Sequence, residues 1–342
     1  MFKILFLVLS LAVLTPAWAQ AQAGTGTHPV EAPGAVDDSS PAPEQILVVG
    51  KRPGPGLWKI TKDEHVLWVF GTYSPLPTNM EWRVQEVEAI VAQSQEYLLP
   101  PGARADIGFL RGLTLAPLAI GIKNNPNGAR LRDVLPPEMY ARWLALKEKY
   151  IGDDDGIERE RPIFAGAELA RKGLAHAGLA SGREVQRKID SIVKQNKIRM
   201  TSTSFKLEID SPGRMIRKFK KSAMDDVTCF SKTLEALESD IDAMRVRANA
   251  WAKGDLEAIE KLNFAERESA CNDAVLSSPI LKDHPAFHNL QARVRESWLA
   301  AAEKSLVANK STFAVLPMKD LLGPNSYVAA LAAKGYTVQK PE

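Results

Sequence analysis

The sequence predicts an α/β fold: two βαβ-like half-units, one at each end of the chain, forming one sheet, with a long helical insert between them. Three observations carry this. Leu57 to Ser74 reads as a hairpin whose second strand, Val66 to Phe70, leads into a loop, a helix and a further strand. The carboxyl end closes with helix, strand, loop, helix, strand. Between them, apolar residues recur mainly at helical spacing. Two such end units favour one domain, residues 56–342, over two.

The elements follow in order. Asn79 is a candidate N-cap for a helix from Glu81 to Ser94, whose Val84, Val87, Ile90 and Val91 share a face. Glu96 to Leu99 reads as a strand stopped by Pro100-Pro101-Gly102. Helices are expected from Phe109 to Lys123, Pro137 to Tyr150, Pro162 to Ala175 and Glu184 to Asn196, with a strand at Ile198 to Ser202. Two long amphipathic helices follow, Ser211 to Glu238 and Asp240 to Leu262. Gly254-Asp255 invites a break in the second, with Asp255 as a cap. Pro285 to Ala308 is helical, Thr312 to Leu316 a strand, Ser326 to Ala333 a helix and Tyr336 to Gln339 a last strand.

Composition bounds the function. Of 342 residues, 45% are hydrophobic and 25% charged, enough for an ordinary core. The formal charge of +3, from 44 basic and 41 acidic residues, gives no general pull toward nucleic acid or anionic lipid. Lys3, the apolar run Ile4 to Leu14 and Ala17-Trp18-Ala19 form a signal-peptide pattern over residues 1–19. The run is too short to span a bilayer, which takes about 20 residues. No lipobox cysteine follows, and no other segment approaches transmembrane length. Residues 20–55 read as an Ala/Gly/Pro-rich tether carrying one β-prone run, Ile46 to Val49. The mature chain is expected in the periplasm or secreted. There, Cys229 and Cys271 can form a disulfide closing a loop of about 40 residues; two buried thiols are the alternative.

Candidate chemistry is sparse. No Walker A, Gly-x-Gly-x-x-Gly, His-Glu-x-x-His or Gly-x-Ser-x-Gly motif is present. His284 and His288 have metal-compatible i, i+4 spacing, but Pro285 biases His284 out of helical geometry. Asp153-Asp154-Asp155 lacks EF-hand spacing and reads as a solvated loop. Ser74 has neither a base nor an oxyanion hole nominated by its neighbours.

Five phrases, in order, resemble the TraB/GumN family of the Tiki/ChaN/EreA-like superfamily. They are Leu57-Trp58-Lys59, Val69-Phe70-Gly71-Thr72, Trp251-Ala-Lys-Gly-Asp255, Arg295-Glu-Ser-Trp298, and Phe313-Ala-Val315 through Gly335-Tyr336-Thr337-Val338. The resemblance implies a divalent metal of the manganese or cobalt type. It would be held by a histidine ending Gly-x-x-His, a glutamate ending the next strand and a second Gly-x-x-His, and would activate water. Matched residue by residue, those positions hold Ser74, Pro100 and Asp320, and the second motif glycine is Pro317. The expectation is therefore a degenerate metallohydrolase site, with no metal and no cofactor. Its role would be binding a small ligand or acting as an accessory to an envelope protein. Gly71, Tyr73, Ser74, Glu96, Arg295 and Asp320 are the candidate lining of a cleft at strand ends, with Arg295 alternatively a bridge between the two halves. The alternative is an active metal-dependent, peptidase-like hydrolase with rebuilt ligands such as Asp320.

Overall fold

The computed structural model describes residues 56–80, 82, 84–261 and 266–341. The leader, the tether and the Ile46–Val49 run lie outside the described residues. The fold is α/β. Its main sheet has six strands in the order β10-β1-β2-β9-β4-β7. These are β1 (Leu57–Lys62), β2 (His65–Thr72), β4 (Glu96–Leu98), β7 (Arg199–Thr201), β9 (Ser311–Pro317) and β10 (Thr337–Gln339). The hairpin β1–β2 and the edge pair β1–β10 are antiparallel. The pairs β2–β9, β9–β4 and β4–β7 are parallel.

The half-units interleave. β9, from the carboxyl end, lies between β2 and β4 from the amino end. Its run Phe313-Ala-Val-Leu316 is wholly inaccessible, as a parallel strand covered on both faces should be. Helices Gln85–Gln93, Arg183–Gln195 and Leu290–Ala308 share the sheet's core through Val87 and Val91, Ile189 and Val193, and Trp298 and Leu306. The helical insert supplies β7 as well as helices. A second core forms around Trp143, Leu169, Phe230 and Leu234.

Several expected boundaries shift, each for a tertiary reason. The helix expected from Glu81 begins at Gln85, with Val84 at the N-cap position and no side-chain cap, so Asn79 caps nothing. Upstream, the chain is tied down by tertiary contacts instead. Leu76–Pro77 (β3) pairs with Leu179–Ala180 (β6), and Trp82 stacks on Phe70 at 5.3 Å. The helix expected from Ser211 to Glu238 is two helices, Pro212–Lys221 and Val227–Ser239. Between them Arg161 takes the carbonyls of Phe219 and Ser222 (2.7 and 2.9 Å), and Asp226 accepts the Ile163 amide at 2.8 Å. The break at Gly254 occurs as expected, and Asp255 caps the next helix by accepting the Ala258 amide at 3.0 Å. Strands β5 (Ala103–Ala105) and β8 (Phe205–Leu207) form a small parallel pair that the sequence did not suggest.

Three interactions fix the frame. On helix Ile241–Lys253, the Trp251 indole N–H donates to the Gly71 carbonyl at 2.9 Å, with both groups buried. Cys229 and Cys271 are joined in a disulfide across a sequence separation of 42. At the amino edge of the parallel strands, the buried Glu96 carboxylate accepts bonds from the Thr201 hydroxyl, from Asn309 at 2.6 Å and from Arg199 at 3.1 Å. Asn309 also offers its carbonyl to the His65 ring at 2.8 Å, tying the start of β2 to the same network. Burial alone would raise the Glu96 pKa. The hydrogen bonds from Thr201, Asn309 and Arg199, with the arginine's charge, outweigh it and hold the carboxyl below its ordinary value.

Each interaction gives a test. Trp251→Phe removes the indole donor to a buried carbonyl and should lower the unfolding free energy by about 1–3 kcal/mol in urea titration; an unchanged midpoint would count against the bond. Replacing both cysteines by alanine should cost about 4 kcal/mol for a loop of this length, read the same way under oxidising conditions. A depressed carboxylate contributes stability that is present above the unfolded value near 4.5 and is lost as pH falls through the folded value. The stability gap between wild type and Glu96→Gln should therefore be widest above pH 4.5 and close below it. A gap independent of pH would contradict the network.

Candidate functional site

Parallel register decides which residues meet. Thr72 of β2 stands beside Pro317 of β9, and Leu98 of β4 beside Ala314. Ser74 lies just past Thr72, Pro100 just past Leu98, and Asp320 in the short helix Met318–Leu321 that follows β9. All three reach the carboxyl edge of three neighbouring strands, where ligands commonly bind in α/β sheets. Ser74 is exposed and precedes a cis peptide bond to Pro75; Pro100 and Asp320 are half-buried.

The edge is tightly packed beneath. A Cβ on Gly71 would lie 3.0 Å from each of Met318 Cε, Leu321 Cδ1 and Trp58 Cζ3, so only glycine fits without displacing them. Met318 and Leu321 are almost fully buried. Gly71 therefore contributes its carbonyl, held by Trp251, and no exposed surface to a ligand. Among the described residues, no group of three or more His, Cys, Asp or Glu side chains stands close enough to hold a metal ion.

Tyr73 points inward. It is 5% exposed and interacts with Arg247, itself buried, one turn before Trp251 on the same helix. Burial raises the Tyr73 hydroxyl pKa above its ordinary value, while the charge and hydrogen bond of Arg247 oppose the rise. The phenol stays protonated at neutral pH. Arg247 was not singled out from the sequence. Its signal was its place four residues before Trp251, which puts both on one helix face.

Beside this segment opens a cleft of about 400 Å³. One wall is Leu76, Pro77, Met80 and Trp82; the other is Ala180, Gly182, Val185 and the start of helix Arg183–Gln195. Glu184 and Lys188 add charge, and Lys188 pairs with Glu88 at 3.7 Å. Gly182 adopts a φ of +65°, and a Cβ there would meet the Tyr73 carbonyl oxygen at 2.6 Å. Gly182, in the cleft wall, thus packs closely on the Tyr73 backbone of the Gly71–Ser74 segment.

Two expected lining residues stand elsewhere. Glu96 starts β4, as expected, but this end is the amino edge: it stands level with Thr312 and, through β9, with Leu67. At roughly 3.3 Å per residue it lies about 16 Å from the carboxyl edge, and its oxygens are spent on the network above. Arg295 donates to the carbonyls of Asn325 and Ser326 (2.6 and 2.9 Å) and lies over the Tyr327 ring at 5.6 Å. These bonds stay within the carboxyl-terminal half, so they do not bridge the two halves. Tyr327 connects it to the edge. Burial and then the charge of Asp320 push the Tyr327 hydroxyl pKa up, against Arg295.

The two histidines at metal-compatible spacing are bonded locally. His284 is non-helical, and its Nδ1 accepts the Ala286 amide at 3.2 Å. The His288 Nε2 lies 3.0 Å from the Lys282 carbonyl oxygen. The pair is thus engaged in local backbone bonds.

No curated protein and no solved structure matches the chain. A family model does, and it spans residues 56–340, from the start of β1 to just past β10. That span takes in the Gly71–Ser74 segment, the Trp251 helix and the Pro317–Asp320 turn: the chain belongs to the TraB/PrgY/gumN family.

Proposed function

We propose that this is an exported member of the family whose metallohydrolase site is degenerate, and that it serves a binding or accessory role at the cell envelope. In this reading residues 1–19 are a signal peptide, 20–55 a tether and 56–342 one domain. The observation that carries the proposal is the donor set at the carboxyl edge. The three family-equivalent positions offer one hydroxyl (Ser74), no side-chain donor (Pro100) and one carboxylate (Asp320). That set does not fit a first-row divalent ion, which takes three or more nitrogen, oxygen or sulfur side-chain ligands. The Met318 and Leu321 side chains packed on Gly71 support the same reading.

What the edge retains is a shaped surface. The cleft lined by Leu76, Met80, Trp82 and Val185 supplies an apolar wall and an aromatic face, with Glu184 and Lys188 to orient a polar group. It lies beside the strand ends and shares the Tyr73–Gly182 contact with them. The ligand class it suits is a small molecule or short peptide with one apolar group and a polar end. The disulfide and the absence, among the described residues, of a helix long and apolar enough to cross a membrane accord with export.

The test is elemental analysis of natively purified chain, together with a peptidase assay on added manganese or cobalt. The proposal predicts substoichiometric metal and no peptidase activity above that of Asp320→Ala. One metal per chain that is lost on Asp320→Ala, with activity lost alongside it, would establish the rebuilt-hydrolase alternative instead.

A further inference from the structure

The helix Pro212–Lys221 carries its charge on one side. Arg214, Arg217, Lys218 and Lys221 stand at i, i+3, i+4 and i+7 and are all exposed, while Pro212, Ile216 and Phe219 are buried. At 3.6 residues per turn the four cations fall within an arc of roughly 100°. The helix contains no acidic residue. Among the described residues none of the four is ion-paired, whereas Arg142, Lys147, Arg199 and Lys206 elsewhere on the surface are. Asp225 and Asp226 follow beyond its carboxyl end, and Asp226 is buried.

A helix with exposed apolar side chains packs beside the one that carries this stripe. Helix Phe109–Ala119 packs on it through Leu115 and Leu118, which come within 3.2 and 3.4 Å of where a Cβ on Gly213 would sit. Its outer side presents Leu113, Ala116 and Pro117, continued by Ile120, all exposed. Leu113 is 47% and Ile120 74% accessible, among the most exposed large apolar side chains described. The Lys220 ammonium donates to the Ile120 carbonyl at 2.6 Å, which places Ile120 beside the helix that carries the stripe. The platform is rigid. Arg161, 1% exposed, grips the Phe219 and Ser222 carbonyls and lies 4.7 Å over the Phe219 ring.

Isolated apolar tips beside a stripe of unpaired cations match one environment closely: the boundary where anionic headgroups overlie acyl chains. A protein partner would need a pocket for each tip and a carboxylate for each cation. A bilayer offers both at every point. We propose that this face docks the protein peripherally on an anionic lipid bilayer. Leu113 and Ile120 enter the headgroup boundary, and Arg214, Arg217, Lys218 and Lys221 meet lipid phosphates. The near-neutral overall charge is compatible with this, because the attraction is local and acts within a Debye length of about 8–10 Å. The inference is independent of the cleft and of any catalysis there.

The experiment is flotation of the full chain with vesicles of phosphatidylethanolamine and phosphatidylglycerol, against vesicles of phosphatidylcholine alone. Every arm carries the same apolar amino-terminal run, so differences between variants report on this face. Arg214→Gln/Arg217→Gln/Lys218→Gln/Lys221→Gln should weaken partitioning to the anionic vesicles by roughly 1,000-fold. Leu113→Ser/Ile120→Ser should weaken it by about tenfold. Hydrogen exchange on the wild-type chain should slow over residues 113–120 and 212–221 when anionic vesicles are added. Variants that partition like wild type, or no change in exchange there, would overturn the proposal. So would binding that is indifferent to lipid charge, or capture by an acidic protein or nucleic acid in preference to vesicles.

Discussion

A single buried hydrogen bond, from the Trp251 indole to the Gly71 carbonyl, sets the geometry on which the rest of the candidate site depends. It joins the last turns of helix Ile241–Lys253 to the end of β2, two elements 180 residues apart in sequence. Phe70, Trp82 and Trp251 gather around it, with ring centroids 5.3 to 6.3 Å apart. One helical turn earlier, Arg247 holds Tyr73 inward. Gly71 must lack a side chain because Met318, Leu321 and Trp58 already fill the space a Cβ would need. The strand end is thus fixed from the helix side, from the carboxyl-terminal turn and from β1 at once.

The sheet divides its labour between its two edges. At the amino edge Glu96 is a buried carboxylate whose every partner is supplied from inside the fold: Thr201, Arg199 and Asn309. Such a network stabilises only while it stays complete. At the carboxyl edge Ser74 is exposed, Pro100 and Asp320 are half-buried, and a cleft opens beside them. One edge is closed upon itself and the other faces outward. That contrast is the physical basis for locating function at the second.

Much of this was legible in the chain, and the parts that were not share a cause. The β1–β2 hairpin, β9 and helix Pro137–Tyr150 follow from local pattern, since alternation, helical spacing and proline punctuation all act within a few residues. The resemblance carried by Gly71-Thr72, Trp251 and Asp255 pointed to the same family as the match over residues 56–340. Long-range arrangement was not legible. Nothing local says that β9 inserts between β2 and β4, or that Leu76–Pro77 pairs with Leu179–Ala180 and so forms one wall of the cleft. Glu96 was placed at the wrong edge for the same reason. The sequence put Glu96 at the start of its strand, where it is, but the edge of the sheet that this start reaches depends on the parallel pairing with β9. The split at Ser222 depends on Arg161, some 60 residues away, whose preference for the Phe219 and Ser222 carbonyls overrides a continuous helical pattern.

On the proposal that the carboxyl edge keeps the family's frame but lacks its ligands, restoring those ligands is the most direct test. Titration calorimetry with manganese should compare the wild-type chain with Ser74→His/Pro100→Glu/Asp320→His. The account predicts no measurable binding by wild type and one ion per chain for the restored variant, because the strand register already brings the three positions to one edge. Stoichiometric binding by the wild-type chain that is lost on Asp320→Ala would contradict it.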